Sequence, residues 1–397
     1  MIHRYALATL IAMMVLGGTY GSPRSRMAPF RPNTRTRLIV FATVDTFTLM
    51  TQLAHRYAAQ RPDLDIVVDA VGDRYVDKDL RDCGGGGDID ATNLYVPDTR
   101  LSQCNDLISV PIAIGAVPVV YNVPGRYFTQ RAPDGVTLIH PIHLTPAVLA
   151  SIYLGTVTRW NDPVIARLNP AAPLPAEPIL AMHGLEGSAD TDILFSAWLG
   201  QSDPRWRQAV GVGTDTAPTF PTGPNLVAVN HDSSLPGQYS IRTTPYSLGF
   251  VDYVTAFAFS LQTAALQNRT GRFAIPSRDG LAAAARGALH DGMPMDFRRL
   301  FVSSGDPVAF DPSNFVFLIV HRTVPNASDS MRQPLKDFLL WALDDRGGQR
   351  YLSSMQGYRP ISCTVMLQGE TVGIPCALSS AAQALAASVE VTSTSGQ

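Results

Sequence analysis

The residues from His183 to Thr191 read His-Gly-Leu-Glu-Gly-Ser-Ala-Asp-Thr, and their types and order suit the binding of an anion. An apolar strand candidate, residues 178–182, lies ahead of them, and a helix candidate, residues 193–199, follows. A strand, a turn of small residues and a helix start aim free backbone N–H groups and the positive end of the helix dipole at whatever sits over the turn. Glu186, Asp190 and Asp192 cluster there, as carboxylates do at a helix start. The sequence shows no nucleophile elbow, no metal-spaced His/Asp set, no His-x-x-x-His pair and no glycine loop of the nucleotidase kind. It reads as a binding protein without a cofactor, not as an enzyme.

The flanking elements follow from caps and periodicity. Thr145 before Pro146 and Asp162 before Pro163 each set an N-cap oxygen ahead of a proline at the first helical position. Val148, Leu149 and Ile152 form one short apolar face, and Val164, Ile165 and Leu168 another. Residues 38–42 read as a strand and 47–60 as a helix capped by Thr46, with Phe47, Met50, Leu53, Ala54 and Tyr57 on one side. Residues 65–71 form the next strand, 84–87 a loop, and 88–93 the end of a third strand. Residues 200–250 read as an ordered but irregular loop and 281–288 as a short helix. Alternating strands and helices predict α/β layers with the ligand at the carboxyl ends of the strands. Thr46, residues 71–75, Thr92, Asn93 and residues 187–191 fall at such ends.

At 397 residues with 46% hydrophobic content the chain is long enough for two domains with substantial cores. A net charge of −2 points to neither nucleic acid nor an anionic membrane as partner. His3 and Arg4 precede an apolar run over 6–16 and small residues to 22, so 1–22 reads as a signal peptide, and 23–36 as a flexible leader. No cysteine follows that run, so no lipid anchor is expected at this point, and the chain is placed as secreted or periplasmic. Four cysteines fit export; of three pairings, Cys83–Cys104 and Cys363–Cys376 follow from proximity alone. A zinc site is the rival, disfavoured by wide spacing. Asn268-Arg-Thr and Asn326-Ala-Ser are glycosylation sequons, meaningful in a eukaryote.

The stretch Ser151-Ile-Tyr-Leu-Gly-x-Val-x-x-Trp160-Asn-Asp-Pro-x-Ile-Ala-x-Leu-Asn-Pro170, followed by a strand and Glu186-Gly-Ser-x-x-Thr191, resembles the phosphate-binding (PstS-like) proteins of bacterial ABC phosphate importers. Residues 111–125, 245–253 and 314–321 resemble further blocks of that family in order. The resemblance implies a two-lobed periplasmic-binding-protein-like fold of type II, with the ligand cleft between lobes joined by two crossing strands. Lobe I is then 37–113 plus 315–365, lobe II 114–314, and 366–397 a C-terminal extension of which 392–397 is disordered.

The family's pattern places Thr46, Phe47, Thr92, Asn93, Ser188, Ala189, Asp190 and Thr191 at the ligand, and Arg74 is a further candidate outside that pattern. Thr46 either meets the anion or is a plain N-cap; Asp190 either accepts a ligand proton or caps its helix. Three positions depart from the family. Asn93 stands where a carboxylate is expected, and Gly184, beside His183, where an arginine is expected. Residues 71–75 replace a Gly-Ser-Ser-Gly-Gly loop; Arg74 there either supplies the missing cation or is a surface arginine paired with Asp73 or Asp77. Loss of a guanidinium removes a strong bidentate contact. The implied function is an exported, monomeric binder of inorganic phosphate or a related oxyanion, for uptake or scavenging, its partner in a bacterium an ABC permease. The alternative is a secreted structural or interaction protein that kept the scaffold and lost phosphate binding.

Overall fold

Two sheets, each fed by strands whose sequence neighbours lie far along the chain, organise the computed structural model. It describes residues 35–83, 86–124, 129–131, 137–139, 141–185, 190–212, 218–229, 236–323, 329–365 and 372–391. Residues 74, 75, 77, 81, 129–131, 137–139, 236–239, 329 and 330 are described by their backbone alone. The signal peptide, nearly all of the leader, Glu186 to Ala189, the Asn326 sequon and residues 392–397 lie outside the described residues.

The first sheet takes β1 (Thr36–Ala42), β2 (Leu64–Ala70), β3 (Ile89–Thr92), β4 (Leu107–Ala116), β15 (Ser313–His321) and β16 (Arg359–Pro360), in the order β16-β4-β15-β3-β1-β2. The second takes β5 (Val119–Asn122), β9 (Leu180–Gly184), β10 (Leu226–Val229), β11 (Ser247–Phe250) and β12 (Gln262–Thr263), in the order β10-β9-β11-β5-β12. Two small sheets pair β6 (Thr129–Arg131) with β7 (Thr137–Ile139), and β8 (His143–Leu144) with β13 (Ala265–Gln267) and β14 (Phe273–Ala274).

Helices fill the layers: α1 (Val44–Ala58), α2 (Asp73–Arg81), α3 (Asp98–Leu101), α4 (Pro146–Tyr153), α5 (Pro163–Leu168), α6 (Asp190–Ser202) and α7 (Pro204–Ala209). After them come α8 (Pro236–Thr243), α9 (Tyr253–Ala258), α10 (Arg278–His290), α11 (Asp329–Ala342), α12 (Gly348–Leu352) and α13 (Cys376–Ala387). Among the described residues no helix is long and apolar enough to cross a membrane.

The spine of the first sheet is β4 against β15, antiparallel and buried along nearly their whole length. Only Val117 and Pro118 separate β4 from β5, so the chain crosses from one sheet to the other there. The return crossing lies alongside, where Val117 N donates to Pro312 O at 3.0 Å. The ladder slips one residue between Val316 and Phe317, opposite Pro111 to Ala113. Pro111 has no N–H to give, and Ile112 becomes the extra residue of a bulge. Gln349 repairs the break from α12: its Nε2 donates to Ile112 O (3.0 Å) and Ala342 O (2.7 Å), and its Oε1 accepts from Ser362 N (3.1 Å).

Local sequence rules hold where the predicted caps stood. Thr145 Oγ1 accepts from Val148 N at 3.2 Å and Asp162 Oδ1 from Val164 N at 2.9 Å. Both expected disulfides are formed. Three expectations are corrected. The helix expected over 47–60 runs Val44–Ala58, with Thr43 and not Thr46 at its N-cap position. Residues 200–250 carry α7, β10, α8 and β11, elements too short to show periodicity. Asn268 is buried and its Nδ2 donates to Pro307 O and Ala309 O, so it offers no nitrogen for a glycan.

Beyond residue 365 the chain is in part core. Val372, Ile374, Leu378, Ala382, Ala386 and Val389 are buried, and α13 packs on β4 and α11. Within the span expected as the second lobe, α10 packs against β4, β15 and β16 of the first sheet.

Gln349→Ala should cost on the order of 3 kcal/mol, because it strands buried carbonyls and an N–H that no water reaches. Urea unfolding followed by circular dichroism measures this. A cost under about 1 kcal/mol would mean that the bulge is satisfied in another way.

Candidate functional site

The carboxyl ends of β1 and β3 and the starts of α1 and α6 converge on one place. β1 ends at Ala42, and Thr43, fully buried and extended, turns the chain into α1. Thr43 N donates to Ala91 O (3.0 Å), tying this turn to the end of β3. Thr46 lies in the first turn of the helix. Its hydroxyl donates to Ala91 O (2.8 Å) and lies 3.0 Å from Thr43 Oγ1. The backbone N–H groups of Thr46 and Phe47 both donate to Thr43 O. Phe47 directs its ring to a groove on the outer face of α1, with Thr51, His55, Leu64 and Ile66.

Thr92 and Asn93, at the end of β3, are buried. Asn93 Oδ1 accepts from Asn314 Nδ2 at 3.1 Å, and Asn314 Nδ2 is itself oriented by Phe315 O at 3.0 Å. With its carbonyl committed to Asn314, the Asn93 side chain offers its NH₂ as a donor. Facing them is Asp190, the first residue of α6, 4% exposed. Its Oδ2 accepts from Thr92 Oγ1 at 2.6 Å and from Asn93 N at 2.7 Å. Thr191 follows it, buried in the same turn of α6.

Two sequence departures acquire physical reasons here. Gly184 N donates to Asp192 Oδ1 at 2.9 Å, and a Cβ at position 184 would meet Asp192 Oδ2 at 1.9 Å. No arginine fits there while the Asp192 carboxylate stays. His183 stacks on Phe220, ring centroids 4.6 Å apart, with Nδ1 2.8 Å from Gly184 O, so it packs the second sheet. Arg74 is not on a loop: Gly72, at φ 75°, makes the turn and the helix starts at Asp73. The Arg74 side chain, like Ser188 and Ala189, lies outside what is described.

A second pair of acids was not singled out from the sequence. Asp45, in the first turn of α1, and Asp252, the N-cap of α9, are in hydrogen-bond contact within a dry joint. Oδ2 of each is buried without a hydrogen-bond partner. Burial pushes the Asp45 carboxyl well above the usual carboxylate range, and the charges of Asp252, Asp73 and Asp190 push it the same way. Burial also raises Asp252, whose Oδ1 accepts from Thr255 N at 2.8 Å. A proton on either acid would relieve the repulsion between them. Tyr358 completes the joint, its hydroxyl donating to Asp45 O at 2.9 Å. Asp45 lies two residues after Thr43, the N-cap position of α1 that follows an apolar strand, the one cue that would have marked it.

Asn93, Asp252, Asn314 and Tyr358 also border a cavity of about 10 Å³, room for no more than a water-sized sphere. The closed joint has no space for a tetrahedral oxyanion there. Among the described residues no group of three or more His, Cys, Asp or Glu is arranged to hold a metal ion.

An acid whose folded pKa is raised lends its stability below the unfolded value, here 3.8, and loses it as pH climbs toward the folded value. Wild-type stability should therefore fall as pH rises above about 4 relative to Asp45→Asn, which keeps a neutral donor for Asp252. Urea unfolding across that range measures the difference. Parallel curves for the two proteins would rule out Asp45 as the proton carrier.

Residues 32–283 match the model of the PBP superfamily domain. The chain is similar to the phosphate-binding protein PstS of Methanocaldococcus jannaschii, 26% identical over 370 residues and 89% of either chain. It is 30% identical to the phosphate-binding protein PstS of Pasteurella multocida over 241 residues, 60% of this chain and 63% of that one. The solved phosphate-binding protein of Stenotrophomonas maltophilia superimposes with a TM-score of 0.58 at 12% identity, over 88% of this chain and 93% of that one. At that identity the superposition speaks for the fold alone, a two-lobed α/β binding-protein fold.

Proposed function

We propose that this chain, which belongs to the PBP superfamily, is an exported solute-binding protein that takes phosphate between its two lobes. The observation that carries the reading is the pair of donors at the end of β3: Thr92 Oγ1 and Asn93 N, turned to the carboxyl oxygen Oδ2 of Asp190 at 2.6 and 2.7 Å. A ligand oxygen in that position would lie between the starts of α1 and α6, where helix dipoles favour negative charge. The Asn93 NH₂, Thr191 and the Ser188–Ala189 turn would complete its shell. A cleft walled by Asp45, Asp190 and Asp252 selects an oxyanion that still carries protons, as phosphate does at neutral pH and sulfate does not. Arg74, on α2, is the candidate for a balancing cation.

In this reading the protein acts by binding alone and performs no catalysis. It works as a secreted or periplasmic monomer and hands its ligand to an ABC-type permease in a bacterium. Lobe I is then 37–113 plus 315–365, with α10 seated on it, and lobe II is the rest of 114–314. Two crossings at one hinge suit closure of one lobe upon the other.

Calorimetric titration with phosphate, arsenate and sulfate tests the proposal. Heat is expected from phosphate and arsenate and none from sulfate. No heat from any oxyanion would transfer the protein to the alternative, a scaffold kept for structure or interaction. Ser188→Ala should weaken phosphate by roughly 1–3 kcal/mol; an unchanged affinity would move the ligand away from the turn before α6.

A further inference from the structure

Asp190 does something no helix-capping carboxylate needs to do. It crosses from the second lobe to the first and takes the two donors that a ligand would require. The Thr92 hydroxyl shows the direction of the bond: its oxygen receives Leu94 N at 3.2 Å, and its proton goes to Asp190 Oδ2 at 2.6 Å. Asn93 N, 2.7 Å away, gives its proton to the same oxygen. An ionised acceptor with two donors in a buried site forms the stronger class of hydrogen bond.

We propose that Asp190 is a tethered anion: in the ligand-free protein its carboxylate holds the place of a ligand oxygen on Thr92 and Asn93 and keeps the lobes closed. An entering oxyanion therefore binds by displacing a side chain, not by filling a vacant pocket. The roughly water-sized cavity beside Asn93 agrees with this, since the joint is already packed. Affinity then scales with the fraction of molecules in which Asp190 is unseated. Asp190 also adds negative charge to the walls of the cleft, so it sets which ligands are refused. The closure rests on the geometry alone, whereas the identity of the displacing ligand rests on the function proposed above.

The groups facing Asp190 frame the test. Thr92 and Asn93 come from β3, and the carboxyl of Asp45 from α1 acts on it across the joint. Asp190→Ala removes the tether, and Asp190→Asn keeps an oxygen without the charge. Small-angle X-ray scattering without ligand should show Asp190→Ala more extended than wild type, and added phosphate should close it again. Amide hydrogen exchange at Asn93 should quicken in Asp190→Ala, with Asp190→Asn intermediate. Calorimetry should show phosphate binding tenfold or more tighter in Asp190→Ala, and measurable heat from sulfate.

A ligand-free Asp190→Ala protein as compact as wild type, with Asn93 exchange unchanged, would overturn the tether, as would weaker phosphate binding. The two proposals fail separately. An Asp190→Ala protein that opens yet shows no heat with any oxyanion supports the tether and sinks the phosphate reading. A wild type that binds phosphate, beside a variant that neither opens nor tightens, does the reverse. Thermal unfolding of Asp190→Asn checks that the fold survives the change.

Discussion

A carboxylate from one lobe seated on a hydroxyl and a backbone amide of the other is the contact on which the joint depends. Everything around it is arranged to make that contact dry. Ala91 is buried behind Thr92, Thr43 and Thr46 close over Ala91 O, and Asn314 fixes the Asn93 side chain from β15. In such surroundings a hydrogen bond to an ion is stronger than it is in water, and an unmade one costs more. Each bond that Asp190 makes across the joint therefore carries high individual weight. That suits a joint that must open and close more than a broad apolar interface would.

The same dryness creates the problem that the neighbouring acids solve. Asp45, Asp73, Asp190 and Asp252 come from the starts of α2, α6 and α9 and the first turn of α1, because helix starts attract carboxylates and four of them meet here. Four full charges would not tolerate one another at low dielectric. Asp190 is satisfied by donors, and burial raises both Asp45 and Asp252 toward their neutral forms. Protons and hydrogen bonds thus balance charge in the described part of a site whose arginine position holds a glycine.

How much of this was legible depended on whether a feature was local. The caps at Thr145 and Asp162 were, since cap and helix lie within three residues. So were the disulfides, each closing the shorter loop on offer. The start of α1 was not: Thr43 and Thr46 both have cap chemistry, and the carbonyl of Ala91, from another strand, decides between them. The elements over 200–250 are stabilised by what they pack against, as Trp206 and Phe220 show in the aromatic cluster with Tyr153 and Phe250. The Asp45–Asp252 pair joins residues that nothing in the sequence relates. Asp190 was named from the sequence, with its role left open between capping and ligand contact; its actual partners, Thr92 and Asn93, are 98 and 97 residues away.

Gly184 bears on the same balance of charge. With an arginine there, the second lobe would present a cation to the cleft, and a ligand anion would be drawn in by it. Here Asp192 occupies the space a side chain at 184 would need, and uses the Gly184 N–H for its own carboxylate. Replacing a fixed cation by a buried acid changes the sign of the wall facing the ligand. A free anion then gains less on arrival, while a tethered one, carried on the first residue of α6, pays no translational entropy to reach the same donors. In the proposed function, the glycine at 184 and the seating of Asp190 on Thr92 and Asn93 then act together: with no cation at 184 to draw a ligand in, the internal anion competes better for the same donors.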